Sequence, residues 1–135
     1  MRQQELLEAA MDARGNAYVP YSNFAVGAAV EAVNGRIYRG CNVENASYGL
    51  TNCAERVAIF NAVSAGESQL LRLLVVADTP EPVAPCGACR QVMNEFNINE
   101  IILCNMSGDS KTVGMAELLP YGFGPEQMKG AAENE

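Results

Sequence analysis

Two short segments of the sequence carry the residue types that metal-assisted chemistry requires. One is Asn-Cys-Ala-Glu-Arg at 52–56, and the other is Pro-Cys-Gly-Ala-Cys-Arg-Gln at 85–91. Together they provide one carboxylate and three thiols, which belong to Glu55, Cys53, Cys86 and Cys89. A catalytic zinc site takes three protein ligands and keeps a fourth position for water. The two segments therefore predict a zinc site beside which Glu55 moves protons.

The sequence contains no histidine, so sulfur must supply most of the ligands of any bound metal. Histidine is the commonest metal ligand and a frequent general base, and neither role is available here. Cys86 and Cys89 lie three residues apart and therefore share one face of a helix. Cys53 follows good capping residues at 51–52, and Pro85 suits a first helical turn, so both segments are predicted to begin helices. The unpaired N–H groups at two helix starts would stabilise the thiolates.

Two neighbours of the thiols could stabilise them by donating hydrogen bonds. A zinc ion held by three thiolates carries a net negative charge. Arg56 lies next to Glu55, where its guanidinium could draw charge from the sulfurs. Gln91 is a second candidate for the same role. The alternative for Arg56 is an ordinary solvated helix residue.

The cysteines also allow three alternatives to a catalytic zinc site. A structural zinc site takes four protein ligands, and Cys41 or Cys104 would have to be the fourth. A redox Cys-x-x-Cys motif would account for the second segment, but it leaves 53–55 without a purpose. The third alternative is a chance arrangement. Cys41 and Cys104 themselves are predicted to be small buried residues of strands.

Composition predicts one domain over residues 1–135, since the length is within the usual range and 49% of the residues are apolar. No apolar stretch approaches the roughly 18 to 20 residues of a membrane span. Residues 1–4 lead directly into an amphipathic pattern rather than a signal peptide. Five cysteines, an odd number, argue against a disulfide framework. We expect a cytoplasmic protein without a membrane partner.

The charge balance argues against a nucleic acid polymer as a partner. Nine basic and sixteen acidic residues give a net charge of −7, and no run of basic residues occurs. Binding to a polyanion draws most of its affinity from Lys and Arg. Charge alone does not exclude a small phosphorylated ligand.

The hydrophobic pattern predicts an α/β protein of three layers, α/β/α, in which helices cover both faces of a mixed sheet of about five strands. Asn34-Gly35 between two strand patterns is a strong hairpin signal. A helix between two continuous apolar runs predicts a βαβ unit. The predicted helices cover 3–16, 53–65, 86–96 and a turn at 114–119, and the predicted strands cover 24–33, 36–43, 70–77, 100–104 and 109–113.

At these residues the sequence resembles the small zinc-dependent cytidine deaminases. Zinc deaminases carry His-x-Glu followed by Pro-Cys-x-x-Cys, with the glutamate not a ligand. This chain has Cys-Ala-Glu at 53–55, which is the variant typical of the short, all-cysteine members. The resemblance extends over nearly the whole chain, through 21–28, 41–48 and 118–123. It implies a cytidine deaminase-like fold and one zinc ion per chain on Cys53, Cys86 and Cys89.

The resemblance also implies roles for residues outside the cysteine segments. Phe24 would lie against the pyrimidine ring, and Ala54 would present its backbone to the base. Asn42 and Glu44 would bind the ribose, with Glu44 accepting a hydrogen bond from the 3′-hydroxyl. The simpler alternatives are a core strand residue at Phe24 and a polar turn around Asn42 and Glu44.

The same resemblance implies an assembly. Relatives of this length are homotetramers in which each site borrows residues from neighbouring subunits, and Tyr48 and Phe123 match the borrowed positions. The residues by themselves indicate neither the tetramer nor the borrowing.

The implied reaction is hydrolytic deamination of cytidine and 2′-deoxycytidine to uridine and 2′-deoxyuridine, with release of ammonia, in pyrimidine salvage. Glu55 would take a proton from water and pass it first to N3 of the base and later to the departing amino group. One alternative is a related zinc deaminase acting on a nucleoside antibiotic or a nucleotide. Another is a zinc-stabilised binding module without turnover, although such a module gains nothing from a carboxylate beside an open zinc position.

Overall fold

The computed structural model describes residues 2–128, the part of the chain in which the main elements are four α-helices and five strands. Further short helical segments occur at 48–50 and 125–128. Residue 1 and residues 129–135, which the sequence assigns to the same domain, lie outside this part. No helix within residues 2–128 is long and apolar enough to cross a membrane. The elements are α1 (Arg2–Arg14), β1 (Val26–Ala32), β2 (Ile37–Cys41), α2 (Ala54–Ser64), β3 (Leu70–Ala77), α3 (Gly87–Glu95), β4 (Glu100–Asn105), β5 (Ser110–Val113) and α4 (Met115–Leu118).

The five strands form one mixed sheet, as the hydrophobic pattern predicts, and their order in the sheet is β2-β1-β3-β4-β5. β3 and β4 are parallel and are joined by α3, which is the predicted βαβ unit. The other neighbours are antiparallel. β1 and β2 form the predicted hairpin, in which Gly35 has a φ of +88° that a residue with a side chain rarely adopts.

Helices cover both faces of this sheet, which confirms the three-layer α/β/α architecture. On one face α1 buries Leu6 and Ala10 against residues of β1, β3 and β4, among them Cys104. On the other face α2, α3 and α4 pack against the sheet and bury the larger core cluster, which includes Leu73 of β3 and Met93 of α3. The residues at the starts of α2 and α3 therefore lie on the same side of the sheet.

Most elements begin or end one or two residues inside their predicted bounds, and β1 shows why. The N–H of Val26 donates to Oδ1 of Asn42 at 2.9 Å, and Nδ2 of Asn42 donates to the carbonyl oxygen of Phe24 at 2.8 Å. The backbone N–H of Asn42 still donates to the carbonyl oxygen of Val26 at 3.3 Å, and beyond that bond the side chain of Asn42 takes the place of the backbone ladder. The strand therefore begins at Val26 rather than at Phe24.

Gly40 lets α2 lie directly on the hairpin. A Cβ atom at Gly40 would lie 2.3 Å from the backbone nitrogen of Ala58 and 2.5 Å from the carbonyl oxygen of Ala54. No side chain fits in that space without moving the helix backbone. The facing residues of α2, Ala54, Ala58 and Ala62, are fully buried and equally small. This close contact fixes the position of the first turn of α2.

Candidate active site

The three predicted thiols lie together at the starts of α2 and α3. The Sγ atoms of Cys53 and Cys86 are 3.7 Å apart, and those of Cys86 and Cys89 are 3.5 Å apart. All three sulfurs lie within 4.8 Å of one another. Two segments more than thirty residues apart in sequence thus form one cluster of donors.

The helix starts differ from the prediction. Cys53 and Cys86 are themselves the N-cap residues of α2 and α3, with extended backbones at ψ 155° and 168°. The sequence instead suggested caps at 51–52 and a proline in the first turn of α3. Neither sulfur bonds to a backbone N–H of its helix, because a thiol is a weak acceptor compared with a hydroxyl or a carboxylate. Both sulfurs are therefore free to bind a metal.

The sulfur cluster fits one zinc ion. Zn–S bonds of about 2.3 Å in a tetrahedron require sulfurs about 3.8 Å apart, close to the 3.5 and 3.7 Å observed. No other Cys, Asp or Glu between residues 2 and 128 joins the cluster. Cys104, one of the alternative fourth ligands, is buried on the opposite face of the sheet. Three protein ligands are the number found in catalytic rather than structural zinc sites.

Negative charge on one sulfur of the cluster, that of Cys53, is stabilised by its neighbours. A hydrogen bond from Cys89 and the guanidinium of Arg56 lower the pKa of the Cys53 thiol to about 5. The same bond with Cys53, together with burial, raises the pKa of Cys89. Thiolate is the form of cysteine that binds metal, and Cys53 is held in that form at neutral pH.

Glu55 lies in the first turn of α2 beside the sulfurs and is only 5% exposed. Burial raises its pKa to about 7. Glu55, Cys53 and Cys86 line the same cavity of about 200 Å³. The spacing of two between Cys53 and Glu55 would separate them on a helix. Because Cys53 is the extended cap, both side chains reach one cavity.

Arg56 contacts the cluster from outside the cavity. Its Nη2 atom is 3.4 Å from Sγ of Cys53 and 3.5 Å from the carbonyl oxygen of Thr51. The hydrogen bond to Cys53 raises the pKa of the guanidinium, which stays charged. The contact favours the thiolate-stabilising role over that of a solvated helix residue.

Gln91, the second candidate for this role, is engaged elsewhere. Its Nε2 atom donates to the carbonyl oxygen of Phe123 at 2.7 Å. Among the hydrogen bonds of residues 2–128, none joins Gln91 to a cysteine sulfur. The geometry gives it the task of holding the segment around Phe123 against α3.

Replacement of Arg56 by glutamine should weaken zinc retention or turnover without unfolding the protein. The change removes the cation beside Cys53 but keeps a side chain that can donate a hydrogen bond. A loss of about 1.5 to 3 kcal/mol is typical for a hydrogen bond to a charged group, so we expect roughly ten-fold or greater loss in zinc affinity or in kcat. Zinc competition with a chromogenic chelator and steady-state kinetics measure the two effects. Values unchanged in both would return Arg56 to the role of a surface residue.

The cavity beside the sulfurs brings several predicted residues together. Phe24 is 41% exposed and lines the cavity, so it is not a core strand residue. Its neighbours on the cavity wall include Asn42, Ala54, Val83 and Ala84. Val83 and Ala84 were not among the predicted site residues. Their position just before Cys86 in a proline-rich loop was the signal that could have identified them.

A second recess of about 350 Å³, here called the outer recess, adjoins this inner cavity, and Thr51 lines both. Its other lining residues are Tyr21, Ser22, Glu44 and Tyr48. Tyr21, Ser22 and Thr51 were not predicted as site residues, although the first two belong to a segment already singled out for its resemblance. Together the two recesses fall within the roughly 300 to 1,000 Å³ typical of small-molecule sites.

Asn42 and Glu44 are both engaged in hydrogen bonds. The buried amide of Asn42 makes the two bonds that begin β1 and retains one N–H for another partner. Glu44 accepts backbone N–H groups of Tyr21 and Ser22 at 3.0 and 3.1 Å, and it also accepts the Ser22 hydroxyl. The bond from that hydroxyl lowers the pKa of Glu44.

Tyr48 and Phe123 present their rings to solvent. Tyr48 is 76% exposed and packs edge-on against Tyr21, with ring centroids 6.2 Å apart. Phe123 is 57% exposed, and its carbonyl oxygen accepts hydrogen bonds from Gln91 and Asn94. Tyr48 lies at the outer recess, whereas Phe123 lines neither recess.

A mixed β-sheet between helices, with three clustered cysteines and a buried carboxylate beside them, defines an α/β protein with a catalytic type of zinc site. Residues 1–105 match the family model of the cytidine and deoxycytidylate deaminase zinc-binding region. A cytidine deaminase of Halalkalibacterium halodurans is 52% identical over 95% of this chain and 98% of its own length. A cytidine deaminase of Sporosarcina psychrophila is 51% identical over 96% and 97%.

Solved structures of cytidine deaminases have the same fold as this chain. The crystal structure of a cytidine deaminase from Burkholderia pseudomallei superposes with a TM-score of 0.87 at 51% identity, covering 91% of this chain and all of that one. The cytidine deaminase of Mycobacterium tuberculosis gives a TM-score of 0.79 at 41% identity, covering 92% and 98%. The chain belongs to the cytidine and deoxycytidylate deaminase family, as the resemblance of its motifs implied.

Proposed function

We propose that this protein catalyses the hydrolytic deamination of cytidine and 2′-deoxycytidine to uridine and 2′-deoxyuridine, with release of ammonia. The observation that carries the proposal is the cavity that Glu55 shares with Cys53 and Cys86. A buried carboxylate in the same cavity as two of the proposed zinc ligands supports catalysis rather than a purely structural role. Relatives about half identical over nearly their whole length bear the name cytidine deaminase.

Glu55 is the proposed proton carrier. When bound on Cys53, Cys86 and Cys89, zinc lowers the pKa of a water molecule so that it can attack near neutral pH. Glu55 takes a proton from the attacking water and gives it to N3 of the cytosine ring, which makes C4 electrophilic. After the oxygen has added to C4, Glu55 carries the second proton to the amino group, which leaves as ammonia. A pKa of about 7 suits a group that must act as base and then as acid.

The remaining cavity residues are proposed to bind the nucleoside. Phe24 would lie against the pyrimidine ring, and Ala54 would present its backbone to the base. The spare N–H of Asn42 and the carboxylate of Glu44 would bind the ribose in the adjoining recess. A carboxylate at that position repels a 3′-phosphate, so a nucleotide within a strand should be rejected. The net charge of −7 agrees with a free nucleoside as substrate.

A homotetramer with shared sites is part of the proposal. Two aromatic side chains more than half exposed, Tyr48 and Phe123, would be covered by neighbouring subunits and would complete their sites. We also propose that the protein acts in the cytoplasm, in pyrimidine salvage. The chain would form one catalytic domain. All five cysteines are free thiols, and the three at the zinc site bind metal only while they stay reduced, as they do in the cytosol.

The ultraviolet spectrum of free cytidine incubated with purified, zinc-loaded protein tests the proposal directly. We expect conversion to the uridine spectrum, with one zinc per chain by elemental analysis. A flat trace from folded protein containing one zinc per chain would contradict the substrate while keeping the metal site. Other amino-heterocyclic nucleosides would then be tried, and failure of all of them would indicate a binding module without turnover.

A further inference from the structure

The turn that precedes β1 links the two recesses through one serine hydroxyl. The Ser22 hydroxyl donates to Oε2 of Glu44 and accepts the backbone N–H of Phe24 at 3.0 Å. Phe24 lines the inner cavity, and Glu44 lines the outer recess. Asn23 lies between Ser22 and Phe24 with a φ of +56°, which folds the turn back on itself and brings the two groups within reach.

The carboxylate of Glu44 can accept one further hydrogen bond. Its Oε1 atom already accepts two backbone N–H groups, from Tyr21 and Ser22. Its Oε2 atom accepts the Ser22 hydroxyl. A carboxylate has about four acceptor positions, two on each oxygen. The remaining position is on Oε2, and the Ser22 hydroxyl determines which way it points.

We propose that Ser22 is a positioning residue that aims Glu44 at the sugar hydroxyl of the substrate and holds Phe24 at the base. The inference rests on the proposed function, since it assigns the sugar of a nucleoside to the outer recess. Ser22 thereby sets how strongly the enzyme prefers a nucleoside with a 3′-hydroxyl to one without it. It acts through Glu44 and Phe24 rather than on the reacting atoms.

Replacement of Ser22 by alanine should selectively weaken recognition of the 3′-hydroxyl. Without the serine hydroxyl, Oε2 of Glu44 can turn away while Oε1 keeps its two backbone bonds. A hydrogen bond to a charged group contributes about ten-fold or more. We therefore expect the preference for 2′-deoxycytidine over 2′,3′-dideoxycytidine, measured as the ratio of kcat/KM values, to fall about ten-fold. The fall should appear mainly in KM for 2′-deoxycytidine, with kcat changed only a few-fold.

Three further variants make the test specific. Ser22→Thr keeps the hydroxyl and should restore most of the preference. Ser47→Ala is a matched control, because Ser47 is also exposed near the recess and its side chain caps nothing. In a Glu44→Ala background, Ser22→Ala should have little further effect on the preference, since coupled residues are not additive.

The outcomes separate the inference from the proposed function. Wild-type protein that deaminates neither cytidine nor 2′-deoxycytidine would overturn the proposed function and the inference with it. If the wild-type protein is active and Ser22→Ala lowers kcat/KM for 2′-deoxycytidine and for 2′,3′-dideoxycytidine by the same factor, the inference alone is overturned. An additive effect of Ser22→Ala and Glu44→Ala would do the same. A selective loss that Ser22→Thr restores and Glu44→Ala abolishes establishes Ser22 as the positioning residue.

Discussion

Glu55→Ala is expected to retain one zinc ion per chain and to lose at least about 10²-fold in kcat, the lower end of the contribution of general acid–base catalysis. Zinc stays because the substitution leaves all three thiols and Arg56 in place. Activity falls because the cavity loses the carboxylate that shares its wall with Cys53 and Cys86. Steady-state kinetics and elemental analysis on the same preparation measure both effects.

Stability distinguishes a catalytic Glu55 from a structural one. Burying an ionised carboxylate costs free energy unless it is fully paired, and burial is the main cause of the raised pKa of Glu55. Removal of the group should therefore leave the melting temperature unchanged or higher. A variant that loses activity together with several degrees of melting temperature would indicate a structural role instead.

Two further substitutions isolate proton transfer. Glu55→Gln keeps the shape and hydrogen-bonding capacity of the side chain but cannot carry a proton at neutral pH, so it should lose activity to a similar extent. Glu95→Ala removes an exposed carboxylate at the end of α3 and should keep full activity. Near-normal turnover in Glu55→Gln would remove Glu55 from the proposed mechanism.

The order and type of the elements could be predicted because the signals are local. The hairpin at Asn34-Gly35 and the buried run at 70–77 depend on turn chemistry and on hydrophobic period, which a short window contains. The pairing of the two cysteine segments could be predicted as well, since three thiols and no histidine leave few ways to hold a metal. The secondary-structure elements thus depend little on distant contacts, whereas the long-range pairing of the cysteine segments could be predicted because a shared metal requires it.

The helix caps could not be predicted because the better capping residues are used elsewhere. Thr51 accepts the backbone N–H of Asn45 through its Oγ1 atom at 3.1 Å. Asn52 pairs with Val43 in an isolated bridge, with backbone bonds in both directions. Capping then falls to Cys53, a poor cap by propensity. Long-range pairing of the neighbouring chain therefore decides where α2 begins.

Long-range contacts also account for the side-chain roles that the sequence did not reveal. Gln91 donates a hydrogen bond to a carbonyl oxygen 32 residues later in the chain, and no local sequence pattern predicts that contact. Ser22 was part of a recognised segment, yet its role depends on Glu44, 22 residues away. Residues that act through a partner are the hardest to find from sequence, because only the fold shows the partner.

Cys89→Ala is expected to abolish stoichiometric zinc binding and to lower stability more than an ordinary cavity would. Only two thiols remain after the change, and catalytic zinc sites use three protein ligands. Metal binding contributes to folding free energy, because the assembled site does not exist in the unfolded chain. Elemental analysis after dialysis and thermal unfolding measure the two losses, and kcat should fall with the zinc content.

Cys104→Ala is the matched control for this variant. Both cysteines are almost completely buried, but Cys104 lies on the opposite face of the sheet, under α1. Its replacement removes the same sulfur volume from a core and should cost about the same in packing. It should keep one zinc ion per chain and near-normal kcat, so the difference between the two variants isolates ligation from packing.

The effect of a chelator on the melting temperature tests the same ligand set. A ligand that binds only the folded state stabilises it in proportion to the logarithm of its free concentration. Chelator should therefore lower the melting temperature of wild-type protein and of Cys104→Ala by similar amounts, and leave that of Cys89→Ala almost unchanged. Stoichiometric zinc in Cys89→Ala, or an undiminished response to chelator, would mean that the ligand set is wrong. A ligand in place of Cys89 would then have to be sought, and a three-cysteine catalytic site with a position for water would no longer follow.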